Sequence, residues 1–142
     1  MQAFEISLSA LDVEWQRYAV IAENLANVNS PVDAAGNRVG ARRLLSGPAV
    51  DFQTLMTTDL NNREPVGVRV FAIEEMQDPV RSVYEPDHPS ANAEGFVQYA
   101  NVDHGQEMSL LVKTMRVYEA NLTAMSISKQ MYMKALEMGR TV

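Results

Sequence analysis

Cysteine is absent from all 142 residues, so the chain carries no disulfide, no thiolate nucleophile and no cysteine-based metal site. Thiol content therefore assigns no compartment. No run of 18 or more uncharged apolar residues occurs, and the first residues lack a basic segment followed by an apolar core and a small-residue cleavage site. Neither a membrane span nor an ordinary secretory signal is expected. Basic residues are also scarce, 12 against 18 acidic ones, for a formal charge of -6. A nucleic-acid binder needs the opposite balance, because it must neutralise phosphates.

Proline and glycine are missing from particular places. All six prolines fall at positions 31, 48, 65, 79, 86 and 89, while residues 1–30 and 106–138 contain neither proline nor glycine. Those two stretches are free of the residues that most disfavour a helix interior. What remains is 46% apolar and 21% charged, the composition of a folding chain with room for one core, or for a small domain carried on long helices. A two-domain enzyme does not fit.

Both proline-free stretches carry helical periodicity. Phe4, Leu8, Leu11, Trp15, Tyr18, Ala22 and Leu25 recur at alternating steps of four and three, a heptad seam. It predicts a helix over about residues 3–28, on the order of 40 Å long at 1.5 Å per residue. Asn27, Asn29, Ser30 and Pro31 are the stop signal. Met108, Leu111, Met115, Tyr118, Leu122, Met125, Lys129, Tyr132 and Leu136 repeat the spacing in a second helix ending at Gly139, with Asp103 and Glu107 at its start and Lys134 and Arg140 near its end, as the helix dipole favours. Residues 1–30, 31–101 and 102–142 carry about -3, -4 and +1. Two terminal helices with matching seams are most simply paired antiparallel, with the middle inserted at one end.

The middle reads as extended structure. Val66, Val68 and Val70 alternate with Gly67, Arg69 and Phe71, predicting a strand over 66–75; Phe96 to Tyr99 is a second short candidate, and 38–45 a weaker one after the turn signal Ala35-Gly36-Asn37. Residues 78–92, with three prolines, are expected to form a loop held by contacts.

Chemistry finds little purchase. Asp87-His88 and Asp103-His104 are adjacent pairs outside any ligand spacing, better explained as turn and helix-start groups, and no phosphate-cradling or nucleophile-elbow motif occurs. No catalytic, cofactor-binding or metal residue is assigned. The apolar surface is more informative. Ile6, Val20, Ile21 and Val28 on the first helix, and Leu110, Val112, Val117, Ile127, Met131 and Met138 on the second, lie off the seams, and the small middle segment is not expected to cover them. Packing against other chains is the reading. Six of the nine methionines fall in the second helix, where flexible thioethers suit contacts that differ between neighbours; gap-filling in a core is the plainer alternative.

Specific residues then become familiar. Glu23-Asn24-Leu25-Ala26-Asn27-Val28-Asn29-Ser30 resembles the asparagine-rich helix end of the axial protein family of the bacterial flagellum, which comprises rod, hook and hook-associated components. Asp78-Pro79, Val83-Tyr84-Glu85-Pro86, His88-Pro89, Gly95-Phe96-Val97, Tyr99-Ala100-Asn101-Val102, Glu107-Met108, Tyr118-Glu119-Ala120-Asn121, Lys129-Gln130-Met131 and Lys134-Ala135-Leu136 follow in the order and spacing of its proximal rod branch. The likeness spans nearly the whole chain. Two departures stand out: Gly40-Ala41-Arg42-Arg43 keeps an arginine pair but lacks the aromatic usual before it, and Ala100 replaces a common proline.

The resemblance implies a structural subunit of the basal-body proximal rod, exported by the flagellar type III apparatus without a cleaved signal and assembled in the periplasm into the torque-transmitting drive shaft and export conduit. It implies contacts with other proximal rod proteins, the distal rod, an export-gate adaptor at the rod base and further copies of the chain. The fold expected is mainly α with a small β insertion: terminal helices 1–30 and 102–142 paired as an antiparallel coiled coil, and a small outer β/loop domain over 31–101. The assembly interface is assigned to Leu8, Leu11, Trp15, Tyr18, Asn24, Leu25, Asn27 and Asn29 on the first helix, and to Met108, Leu111, Met115, Tyr118, Leu122, Met125, Tyr132 and Leu136 on the second. Tyr84, Pro86, His88 and Pro89 form the branch-specific loop. A soluble helical adaptor or chaperone of a flagellar or type III export system is the rival, which fits the acidity and the methionines but not the ordered signature over 78–102. A small enzyme using the Asp-His pairs is a third reading.

Overall fold

The computed structural model describes residues 2–31, 40–50 and 67–140. Helix α1, Gln2–Asn27, and helix α2, His104–Arg140, fill the two proline-free ends. Their 26 and 37 residues correspond to about 39 and about 55 Å. At the end of α1 the Ser30 amide donates to the Asn27 carbonyl at 3.1 Å, and Pro31 follows. At the start of α2, Asp103 is the cap: its Oδ1 accepts from the Gln106 amide at 3.1 Å and its carbonyl from the Glu107 amide at 2.9 Å.

Strand β1, Arg42–Pro48, pairs antiparallel with β2, Val68–Glu75, with Leu44 opposite Ile73 and a bulge between Leu45 and Ser46. Strand β3, Val80–Tyr84, pairs antiparallel with β4, Phe96–Ala100, with Val83 opposite Val97, as a separate two-stranded sheet. The fold is mainly helical with small antiparallel sheets.

The strand expected over 66–75 is β2 from Val68, position 66 lying outside the described residues, and it alternates as expected: Val68 and Val70 turn toward α1, while Arg69, Phe71 and Ile73 face outward, the Arg69 guanidinium over the Phe71 ring at 5.3 Å. Two expectations need correction. The strand placed at 38–45 is β1, shifted to Arg42–Pro48, and positions 38 and 39 lie outside the described residues. The loop expected over 78–92 contains β3. Its prolines flank the strand instead of interrupting it, and pairing with β4 supplies the ladder that residues 80–84 cannot supply alone.

The described core lies between α1 and the β1–β2 pair, where Val13, Val20 and Leu44 cluster with Val68 and Val70 against them. This overturns the expectation that Val20 and Ile21 need other chains: both are buried within this one. On β4, Val97 and Ala100 are also buried. Pro79 ties the parts together. Its carbonyl accepts from the Ala41 and Asn101 amides, both at 3.0 Å, and the Ala41 carbonyl accepts from the Met76 amide at 2.8 Å. At Gly40 a Cβ would stand 2.6 Å from the Pro79 Cβ, so glycine is required by this close approach.

Candidate assembly surface

Asn24, buried to 4% exposure, explains the asparagine-rich end of α1. Its Nδ2 donates to the Arg42 carbonyl at 2.8 Å, and its Oδ1 accepts from the Arg42 amide at 3.0 Å. The side-chain amide thus takes the place of a neighbouring strand along the open edge of β1. Farther along that edge Arg17 donates to the Leu44 carbonyl at 3.4 Å and to the Ser46 hydroxyl at 2.7 Å, while pairing with Glu14 at 3.2 Å. On β2, the Val68 amide donates to Ser9 Oγ at 3.1 Å. Polar groups on α1 therefore cap the strand groups that the sheet leaves unbonded.

The arginine pair completes this junction. Arg42 pairs with Glu23, while Arg43 donates to Glu107 at 3.2 Å, and Glu107 also receives Asn24 Nδ2 at 3.5 Å. Glu107 is 3% exposed, at the first turn of α2. One node thus joins the end of α1, the start of β1 and the start of α2. Sequence reasoning quoted these residues as motif members without seeing that they meet. The available signal was three polar groups, Asn24, the arginine pair and Glu107, each next to an apolar run. Ala41, where the aromatic is missing, is buried at this node.

The interface residues assigned from the seams divide. Leu11 and Asn24 are buried; Leu25, Asn27, Leu111, Tyr118 and Met125 are half-buried; Leu8, Trp15, Tyr18, Asn29, Met108, Met115, Leu122, Tyr132 and Leu136 are exposed. The seam of α1 is not the centre of its buried stripe, because the β1–β2 pair occupies the adjoining flank through Val13 and Val20 and draws burial toward itself. Trp15, 61% exposed, stacks on Tyr18 with ring centroids 5.9 Å apart. Across from them Met115, Tyr118 and Leu122 complete an open groove of about 390 Å³ rimmed by Glu14 and Glu119.

Helix α2 is exposed on nearly every side. Val112, Val117, Ile127, Met131 and Met133 are all open to solvent, as are the seam residues near its end, and among its described residues only Glu107 and Thr114 are buried. Exposed apolar surface of this extent on a long helix marks a candidate interaction surface.

The loop of Tyr84, Pro86, His88 and Pro89 caps the β3–β4 hairpin. Tyr84 packs edge-on against Phe96 at 5.3 Å, the Ser90 amide donates to His88 Nδ1 at 3.1 Å, and Asn92 Oδ1 accepts from the Glu94 and Phe96 amides. Gly95 adopts a φ of 83°, and a Cβ there would meet the Tyr84 ring at 3.0 Å. Tyr99 donates its hydroxyl proton to Glu85 at 2.9 Å, which holds the phenol pKa above its usual 10.0. His88 and His104 are brought to no shared site: among the described residues no three histidine or acidic side chains gather to hold a metal, and no described helix is long and apolar enough to cross a membrane.

The β1–β2 pair thus lies along α1 from Ser9 to Asn24 instead of at one end of the helix pair as expected, while α2 keeps most of its apolar side chains exposed. Residues 93–138 match the family of the flagellar basal body rod FlgEFG protein C-terminal region. Over nearly full length the chain is similar to flagellar basal-body rod proteins FlgC: 38% identical to that of Bacillus subtilis, with 97% of each chain covered, and 34% to that of Salmonella typhimurium, with 99% of this chain and 98% of the relative covered. That of Borreliella burgdorferi is 30% identical over 94% of this chain and 93% of its own. The chain belongs to the FlgC family of flagellar basal-body rod proteins, and its role is that of a structural component of the rod.

Proposed function

We propose that the chain builds the proximal rod by burying the exposed faces of its terminal helices against other rod helices, with the β segments forming an outer domain. The observation carrying this is α2: its apolar side chains are exposed around the circumference, and only added helices can remove so much of that surface from water. Pairing of α1 and α2 as an antiparallel coiled coil belongs to this reading. In its support, Asn24 late in α1 meets Glu107 early in α2, whereas Glu14 and Trp15 share a groove with Glu119 and Leu122. The partners are other proximal rod proteins, the distal rod, an adaptor at the export gate and further copies of this chain. Export in unfolded form through the type III apparatus precedes assembly in the periplasm. The protein has no catalytic role, and torque is borne by many helices sharing one packed core.

The test is mass spectrometry of purified, detergent-extracted basal bodies. Peptides of this chain held stably in the axial fraction are expected. Intact protein confined to the cytosol, with none in the rod, would favour the adaptor or chaperone reading.

A further inference from the structure

Sulfur in this chain belongs to methionine alone: nine thioethers and no cysteine. An oxidant that reaches the protein meets no thiol that would consume it first. Five of the nine stand open on α2, where Met108, Met115, Met131, Met133 and Met138 are between 42% and 68% exposed. Met76 and Met125 are half-buried, and the Met76 sulfur accepts from the Arg43 guanidinium at 3.8 Å; Met1 and Met56 lie outside the described residues.

The places of the five around the helix matter as much as their exposure. At about 100° per residue, Met108, Met115 and Met133 fall within about 20° of one another, whereas Met131 and Met138 stand about 140° and about 120° away from Met108. The first stripe includes Met115, which lines the groove with Trp15 and Leu122, and the second continues from the exposed Ile127. Two well-separated flanks of α2 are thus apolar in part through thioethers. One oxygen added to such a sulfur turns a flexible apolar side chain into a polar one. In water the sulfoxide is solvated and costs the free chain little, but against an apolar neighbour with no donor facing it the group is an unsatisfied buried acceptor.

We propose that Met108, Met115, Met131, Met133 and Met138 are sites of reversible oxidation, and that their sulfoxide forms keep the chain out of the rod until they are reduced. This rests on the assembly reading above and names a control on that same surface. In each event hydrogen peroxide transfers one oxygen to a sulfur lone pair: the S–O bond forms, the O–O bond breaks, the sulfur is oxidised by two electrons and the peroxide is reduced to water. Methionine sulfoxide reductases, one for each sulfoxide epimer, return the thioether at the expense of a dithiol, which becomes a disulfide as the oxygen leaves as water.

The test begins with the purified full chain, titrated with hydrogen peroxide and mapped by peptide mass spectrometry. The five exposed methionines are expected to gain oxygen before Met76 and Met125, and both reductases with dithiothreitol to remove it. In a flagellated strain exposed to peroxide while rods are being built, the wild-type chain should be lost from new basal bodies, whereas a chain with all five positions changed Met→Leu should be retained. A chain with the same five changed Met→Gln should keep the wild-type circular dichroism, because the positions are open in the free chain, and be lost from basal bodies without peroxide. Oxidation of Met76 or Met125 ahead of the five, equal recovery of the wild-type and leucine chains under peroxide, or normal recovery of the glutamine chain overturns the proposal. If the glutamine chain loses its circular dichroism, the leucine comparison decides. Failure of the leucine chain to assemble without peroxide also overturns it, since those positions would then demand more than an apolar side chain. Absence of the unstressed wild-type chain from basal bodies would remove the assembly role itself.

Discussion

Asn24 holds Arg42 by both of its backbone groups, donating to the carbonyl at 2.8 Å and accepting from the amide at 3.0 Å. No aspartate, leucine or alanine can make both bonds. Asn24→Ala is expected to destabilise the chain by about 1–3 kcal/mol, since it leaves two strand groups unsatisfied at a buried site. Asn24→Asp should do no better, because it loses the donor and sets a second carboxylate beside Glu107. Urea denaturation followed by circular dichroism measures both, and wild-type stability in Asn24→Ala would show that the clamp contributes nothing.

Arg43 and Glu107 should behave as a coupled pair. Glu107 is the buried member and Arg43 the partly exposed one, so removing the arginine strands a carboxylate. Arg43→Ala is expected to cost about 1–2 kcal/mol, discounted for the solvent that reaches Arg43. Adding Glu107→Gln to Arg43→Ala should recover part of that loss, because the amide carries no charge to strand. A double-mutant cycle with purely additive effects would refute the coupling.

Leu122 separates folding from assembly. It is 46% exposed on the free chain, so Leu122→Asp should lower stability by only about 1–2 kcal/mol and leave the chain folded. In the rod the same aspartate would be buried without a partner, and motility and recovery of the protein in basal bodies should be lost. Normal swimming by a strain carrying only this variant would remove Leu122 from the interface.

Tyr99 supplies a test of the hairpin in solution. Its proton is held by the Glu85 carboxylate, so ionisation should begin at higher pH than for an ordinary tyrosine. The linkage follows: a group whose folded pKa is raised contributes stability that is present below its unfolded value near 10.0 and lost as pH rises through the folded value. Ultraviolet titration of tyrosinate should show Tyr99 ionising late, and Glu85→Gln should lower its pKa. An unchanged curve in that variant would mean the bond does not persist in solution.

Much of this architecture is legible in one dimension. Helix periodicity and the absence of proline and glycine mark α1 and α2 to within a few residues, because backbone propensity and apolar spacing are local properties. The alternation of Val68 and Val70 with Arg69 and Phe71 marks β2 for the same reason. Motif order over residues 78–136 is enough to recognise the family. Strand β3 is not visible this way, since residues 80–84 become a strand through pairing with β4 and through the burial of Val97. Nor is the division of the α1 seam: whether Trp15 or Val20 is covered depends on which flank the β1–β2 pair occupies, a long-range choice that periodicity along one helix does not contain. The meeting of Asn24, Arg42, Arg43 and Glu107 is likewise a product of tertiary structure, because groups up to 83 residues apart in sequence reach hydrogen-bonding distance only once the strands dock and bring their unsatisfied edge to the helix.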